Sequence, residues 1–344
     1  MKDSKKRRKT MRLNKTTSIL VSLVMVLAVG IPSGLEGNSQ HNGSSVEAIY
    51  QSIRNAAPLY EWDETTVYLE NEGMTLVCSL TIPRTQHVCP IVITMNGFGG
   101  DRNDVVIPGT GEPFFKRFSR ILAEQGIASL RVDFRGSGES DGEYQMTSFS
   151  TQVSDALAAV DYIENNLKHQ VNTKSIGMMG FSQGGLVGST SAAKDKRVDS
   201  LVLWSPATFP PHEYEGLITK QGIQAGLALP DGGYDMFGLY LNGQYLGIDI
   251  PLGKGFFEDL FNIDPVAEIR KYENPLMVIV GTQDPIVWPQ PTKGQLYMKY
   301  HQGFEKLVAL DLDHAFNSWA GPEGPDTAFY WSTAWFIMTL KEKE

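Results

Sequence analysis

The sequence predicts an α/β domain: a mostly parallel central sheet with helices on both faces and an inserted cap. Three observations point there. Apolar runs alternate with amphipathic stretches over most of the chain, which is the signature of βαβ units. The run Leu276-Met277-Val278-Ile279-Val280 is continuously apolar, as a strand buried on both faces must be. Gly180-Phe181-Ser182-Gln183-Gly184 sits between an apolar run and a small, Gly-rich stretch, the setting of a sharp strand-to-helix turn.

The elements follow in order. Runs at 66–70 and 75–82 read as opening antiparallel strands, and 92–95 as the next strand. Residues 113–125 carry Phe114, Phe115, Phe118, Ile121 and Leu122 at helical spacing. A strand at 128–134 precedes a helix at 153–167, and 176–179 leads into the turn at Ser182. Strands at 200–204, 276–280 and 307–310 alternate with helices at 264–272 and 293–300, and 328–340 closes the domain as a helix. Between the strands ending at 204 and starting at 276 lies more chain than a crossover needs. Residues 207–263 therefore read as a cap, with a hairpin turn at Asn242-Gly243. Its aromatics, among them Tyr214, Tyr234, Phe237, Tyr240, Tyr245, Phe256, Phe257 and Phe261, suit either a ligand pocket or the cap's own core.

The G-x-S-x-G run presents Ser182 as a nucleophile; the plain alternative is a serine that caps the next helix. A serine needs a base downstream of it, which leaves His212, His301 and His314. His314 follows a short strand and sits on a loop, so it is the candidate base. Asp284 lies at the carboxyl end of the 276–280 strand, between serine and histidine in chain order, and is the candidate acid. Asp311 and Asp313 are rivals by proximity alone; a neighbour in extended chain usually points the other way. For an oxyanion, the amide after the nucleophile, Gln183, is one donor. The Phe98 amide of Asn96-Gly97-Phe98-Gly99-Gly100 is the other, with Gly97 and Gly99 as neighbours in contention.

Those segments, together with Asp133-Phe134-Arg135-Gly136-Ser137-Gly138-Glu139-Ser140-Asp141-Gly142 and Asp313-His314-Ala315-Phe316, resemble the α/β-hydrolase family, and within it the cinnamoyl (feruloyl) esterase-like branch. The resemblance spans about residues 60–340. It implies the α/β-hydrolase fold and a serine hydrolase that cleaves carboxylic esters, hydroxycinnamoyl or short-chain acyl. In that branch the residue before the Gly-Phe pair is usually histidine; here it is Asn96. Peptidase, thioesterase and acyltransferase chemistry use the same triad, and a non-catalytic binding protein is the remaining class.

The N-terminus reads as an address rather than as fold. A basic head and a 13-residue apolar stretch at 19–31 suit a signal peptide over about 1–34, with an uncleaved anchor as the alternative. Residues 35–57 read as a polar leader. Eight of the 30 Lys and Arg residues, but only one of the 39 acidic ones, lie in 1–34. The remainder is thus more acidic than the whole-chain charge of −9, which argues against nucleic acid or anionic membranes as partners. The expectation is an exported enzyme with a small-molecule ester substrate, no cofactor and no metal. Cys78 and Cys89 are either a cross-strand pair or two separate buried thiols.

Overall fold

The computed structural model describes residues 44–340. The reading of residues 1–34 as a signal peptide lies outside them. Two antiparallel strands open the sheet, β1 (Trp62–Asn71) and β2 (Met74–Pro83). They are followed by β3 (Cys89–Met95), β4 (Ala128–Val132), β5 (Val171–Phe181) and β6 (Val198–Trp204). The sheet ends with β9 (Leu276–Gly281) and β10 (Glu305–Leu310), the numbers between belonging to a separate hairpin. The order across the eight strands is β1-β2-β4-β3-β5-β6-β9-β10, and every pair beyond β2–β4 is parallel.

Alternation of side chains explains why the runs are apolar throughout. In β6, Leu201 and Leu203 pack on one face while Val202 and Trp204 pack on the other. In β9, Leu276, Val278 and Val280 share the first face, and Met277 and Ile279 the second. On that second face lie α1 (Ser44–Asn55), α2 (Phe114–Glu124) and α10 (Glu323–Thr339). On the first lie α3 (Phe149–Asn166), α4 (Gln183–Lys194), α8 (Pro265–Ile269) and α9 (Thr292–Tyr300). The helix α3 begins with a capping box in which Ser148 and Thr151 bond each other's backbone reciprocally.

One expectation differs from the structure, and one open alternative closes. The described part of the polar leader is not loose chain: α1 turns Val46, Tyr50 and Ile53 inward. Tyr50 stacks on Trp331 of α10 at 4.6 Å, and Lys306 reaches Glu47 at 2.9 Å. Spacings of four and three place those three apolar residues on one helix face, and so few among polar neighbours were read as a leader. Cys78 and Cys89 are free, buried thiols. β4 lies between their strands, and two strand spacings, roughly 9–10 Å, exceed the reach of a disulfide.

Between β6 and β9 lies the cap. It comprises α5 (Pro210–Ile218), α6 (Lys220–Leu227), β7 (Tyr234–Leu241), β8 (Gln244–Gly253) and α7 (Lys254–Asn262). The β7–β8 turn has positive φ at Asn242 (50°) and Gly243 (76°), as a two-residue type I′ hairpin requires. Lys293 of α9 pairs with the buried Glu213 at 2.7 Å, and the Tyr297 hydroxyl donates to Ala207 O at 2.7 Å. Asp259 accepts from Ser150 N at 2.7 Å and Ser150 Oγ at 3.0 Å. These bonds fasten the cap to the sheet domain at both ends. Among the described residues no helix is long and apolar enough to cross a membrane.

Candidate active site

Ser182 occupies the junction of β5 and α4 at φ 55°, ψ −117°, a backbone state that L-residues avoid unless their surroundings impose it. Close packing imposes it here. A side chain at Gly180 would run into the Gly184 carbonyl, and one at Gly184 into the backbone at Met95 and Asn96. The Ser182 amide donates to Trp204 O at 2.8 Å, and its carbonyl accepts from Gly185 N at 2.9 Å and Ala207 N at 3.0 Å. The side chain makes no capping bond to the helix, so the helix-cap alternative does not describe it.

His314 lies beyond β10, in a loop that bends back through positive φ at Phe316 and Asn317, both 57°. Its Nδ1–H donates to Asp284 Oδ2 at 2.7 Å, and both side chains are buried. The other oxygen of Asp284 accepts from Ile286 N at 2.8 Å and Val287 N at 2.9 Å. The carboxylate is thereby locked on the tip of the β9 loop, oriented toward the ring. His314 and Ser182 line one cavity with Gly97, Phe98, Asp104, Val105, Phe114, Phe181, Ala315 and Ser318. Phe181, next to the serine, packs 5.1 Å from the His314 ring. Among the described residues Ser182 Oγ has no hydrogen-bond partner, His314 included. Bonds of this kind are often long before substrate arrives.

The rival groups sit elsewhere. The Asp313 carboxylate turns into its own loop, accepting from Ala315 N at 3.0 Å, Asn317 N at 2.7 Å and Trp319 Nε1 at 2.7 Å. Burial pushes its pKa above the usual carboxylate range. Asp311 is exposed and accepts from Gln283 Nε2 at 2.9 Å. His212 is exposed on α5, and His301 ends α9, bonded to Glu305 at 3.0 Å and Asn274 O at 3.0 Å.

The Gly97–Gly100 segment lies against the turn that carries the serine; a Cβ at Gly97 would stand 3.3 Å from Ser182 Cβ. The amides of Phe98 and Gln183 donate no bond among the described residues, as groups held for an anion would not. The Gly99 amide does not share that freedom: it donates to the hydroxyl of the buried Tyr144 at 3.0 Å. Asn96, in the place where the resembling branch carries histidine, is buried and gives Nδ2 to Gly97 O at 3.0 Å.

Three supports were not legible in the sequence. Gln183 is gripped from both sides, giving Nε2 to Gln152 at 2.7 Å and accepting at Oε1 from the Tyr214 hydroxyl. Burial holds the Tyr214 phenol well above its usual pKa, so it remains a donor. The Asp133 carboxylate bonds Arg102 through both its amide and its guanidinium, tying the Gly97–Gly100 loop to the end of β4. The cap aromatics divide. Tyr214, Phe237, Phe256 and Phe257 are core, while Tyr234, Tyr245 and Phe261 are exposed, and none of these lines the cavity at Ser182.

This sheet order, with Ser182, Asp284 and His314 on loops at the carboxyl ends of β5, β9 and β10, is that of the α/β-hydrolase fold. Est1E of Butyrivibrio proteoclasticus, solved with ferulic acid bound, superposes with a TM-score of 0.62 at 23% identity, covering 80% of this chain and all of Est1E. The esterase domain of a Rhodothermus marinus protein gives 0.60 at 19% identity, covering 81% and 100%. Residues 72–229 match the family model described as X-Pro dipeptidyl-peptidase (S15 family). In sequence the chain is 24% identical to an uncharacterized 31.7 kDa protein from the traX-finO intergenic region of Escherichia coli, over 69% of this chain and 86% of that one.

Proposed function

We propose that the chain is a serine esterase that hydrolyses short-chain carboxylic esters, exported by its N-terminal segment. One observation carries the reading: a buried histidine, oriented by a buried carboxylate at 2.7 Å, shares a cavity with a serine held at φ 55°. In this mechanism Ser182 Oγ attacks the ester carbonyl while His314 takes its proton. The Phe98 and Gln183 amides bind the oxyanion of the tetrahedral intermediate. His314 returns the proton to the leaving alcohol, and water then resolves the acyl-enzyme by the reverse sequence. Asp284 keeps Nδ1 protonated, so that Nε2 is the basic nitrogen.

The size of the cavity supports a short acyl group. The cavity is small, about 20 Å³, room for one or two waters. The test is hydrolysis of p-nitrophenyl acetate, p-nitrophenyl butyrate, methyl ferulate and an aminoacyl p-nitroanilide. The short esters should be cleaved fastest, and Ser182→Ala should lose all but a residual activity, a fall on the order of 10⁴-fold or more. The S15 match over residues 72–229 favours a second reading, a peptidase. Anilide cleavage outpacing ester cleavage would establish that reading in place of the first.

A further inference from the structure

The direction of the Phe98 amide depends on what holds the carbonyl at the other end of the same peptide. The Gly97–Phe98 peptide is trans, so its C=O and N–H point opposite ways. Gly97 O accepts two bonds, from Asn96 Nδ2 at 3.0 Å and from Gly100 N at 3.2 Å. The second closes a tight turn over residues 97–100, with Gly99 at φ 72° in its third position, as a type II turn requires. That closing bond is at the long end for an N–H donor, and turns of this kind often dispense with it. The side-chain bond is the shorter of the two. Asn96 is 3% exposed, and among the described residues the contact with Gly97 O is the one hydrogen bond its side chain makes. Nδ2 must be the atom that faces the carbonyl, because two acceptor oxygens would repel. Elsewhere in the site a buried amide joins distant segments, as Gln152 joins Gln183. The Asn96 amide instead spends its bond on the next peptide. Gly100 leaves room for it: an added Cβ there would stand 3.3 Å from Nδ2.

We propose that Asn96 is a positioning residue: together with Gly100 N it clamps the Gly97 carbonyl and so keeps the Phe98 N–H turned toward the oxyanion. The inference rests on the reading of Ser182 as an acyl-transfer nucleophile and adds the residue that sets one donor's direction. Asn96 does not line the cavity; it acts through the peptide it holds. Glycine at 97, 99 and 100 gives that peptide unusual freedom to rotate. Without the side-chain bond, the turn alone restrains the carbonyl. A carbonyl oxygen swung toward the serine would repel an oxyanion rather than bind it. The ester's own carbonyl carries little charge before attack, so misdirection costs the tetrahedral intermediate far more than it costs the bound ester. The Gly99 amide offers no substitute, being committed to the Tyr144 hydroxyl.

The experiment compares the wild type with Asn96→Asp and Asn96→Ala. Aspartate has nearly the same shape and, when ionised, no donor for the carbonyl; alanine removes the polar end altogether. Rates are expressed per serine titrated to completion by a fluorophosphonate, so misfolded molecules do not count. p-Nitrophenyl acetate, or the p-nitroanilide if that is what the wild type cleaves, gives kcat and KM. An alkyl trifluoromethyl ketone, which adds reversibly to the serine and leaves an oxyanion, gives the affinity for the charged adduct. In both variants kcat should fall by about 10–100-fold, somewhat less than deletion of an oxyanion donor costs. KM should stay within about twofold, and the ketone should bind more weakly by the same factor as kcat falls. A brace that merely supports the fold would lower the melting temperature without this selective loss. Variants that keep kcat per titrated site within about twofold of the wild type, or that keep the ketone affinity, would overturn the role of Asn96 and leave the esterase reading standing. A wild type that cleaves neither substrate, with no labelling of Ser182, would overturn both.

Discussion

The turn at Ser182 and the cap that overlies the sheet are both rich in glycine, yet their glycines answer to different constraints. At the turn, Gly180, Gly184 and Gly185 each lie where an added methyl would meet neighbouring backbone or Pro206. In the cap, Gly216, Gly232, Gly243, Gly247 and Gly255 have nothing within 4 Å of such a methyl. The first set lets a strand, a helix and the Gly97–Gly100 loop converge on one side chain. Most of the second serves turns or simply faces water. Other cap glycines are as tightly packed, Gly226 against the Phe257 ring and Gly253 against Gln145 O, so the turn is set apart by three such glycines crowding one side chain rather than by tightness alone.

The contrast can be broken or sharpened by substitution. The largest effect belongs to the loops around the turn: Asp284→Asn should lower kcat by about 10⁴-fold by disfavouring the required tautomer of His314. The melting temperature should move little, because the asparagine keeps the carbonyl oxygen that Ile286 N and Val287 N bond. Gly184→Ala should cost on the order of 4 kcal/mol in urea unfolding, since the collision is with backbone that has nowhere to go. An unchanged midpoint would dissolve the contrast. Tyr214→Phe removes the cap's donor to Gln183 and leaves a buried amide oxygen short of a partner, for an expected loss of about 2 kcal/mol. Because Gln183 follows the nucleophile, kcat should fall with it. Smallest, and opposite in sign, Gly216→Ala on the open face of α5 should stabilise by about 0.5–1 kcal/mol.

The sheet was legible because its central strands are buried on two sides: a run such as 276–280 has no polar position to disguise it. The hairpin at Asn242-Gly243 was legible because its turn type demands those residues. Ser182, Asp284 and His314 stand out in the sequence because each follows a strand; in the structure Asp284 bonds His314, and His314 lines one cavity with Ser182. What stayed hidden depends on encounters between distant segments. Nothing local in Gln152 or Tyr214 announces that both grip Gln183, and nothing in Ser318 announces that it faces Asp104's side of a cavity. The helix α1 was masked by its own polarity. The thiols of Cys78 and Cys89 were ambiguous because strand order, not spacing, decides whether they meet.

The most direct measurement is a crystal structure of the protein after reaction with a small alkyl fluorophosphonate, whose adduct mimics the tetrahedral intermediate. The phosphorus should be bonded to Ser182 Oγ. Its free oxygen should lie about 2.7–3.1 Å from both the Phe98 and Gln183 amide nitrogens, with His314 Nε2 in hydrogen-bond contact with the serine oxygen. An adduct on any other residue, or a phosphonyl oxygen turned away from both amides with His314 out of reach, would contradict the account.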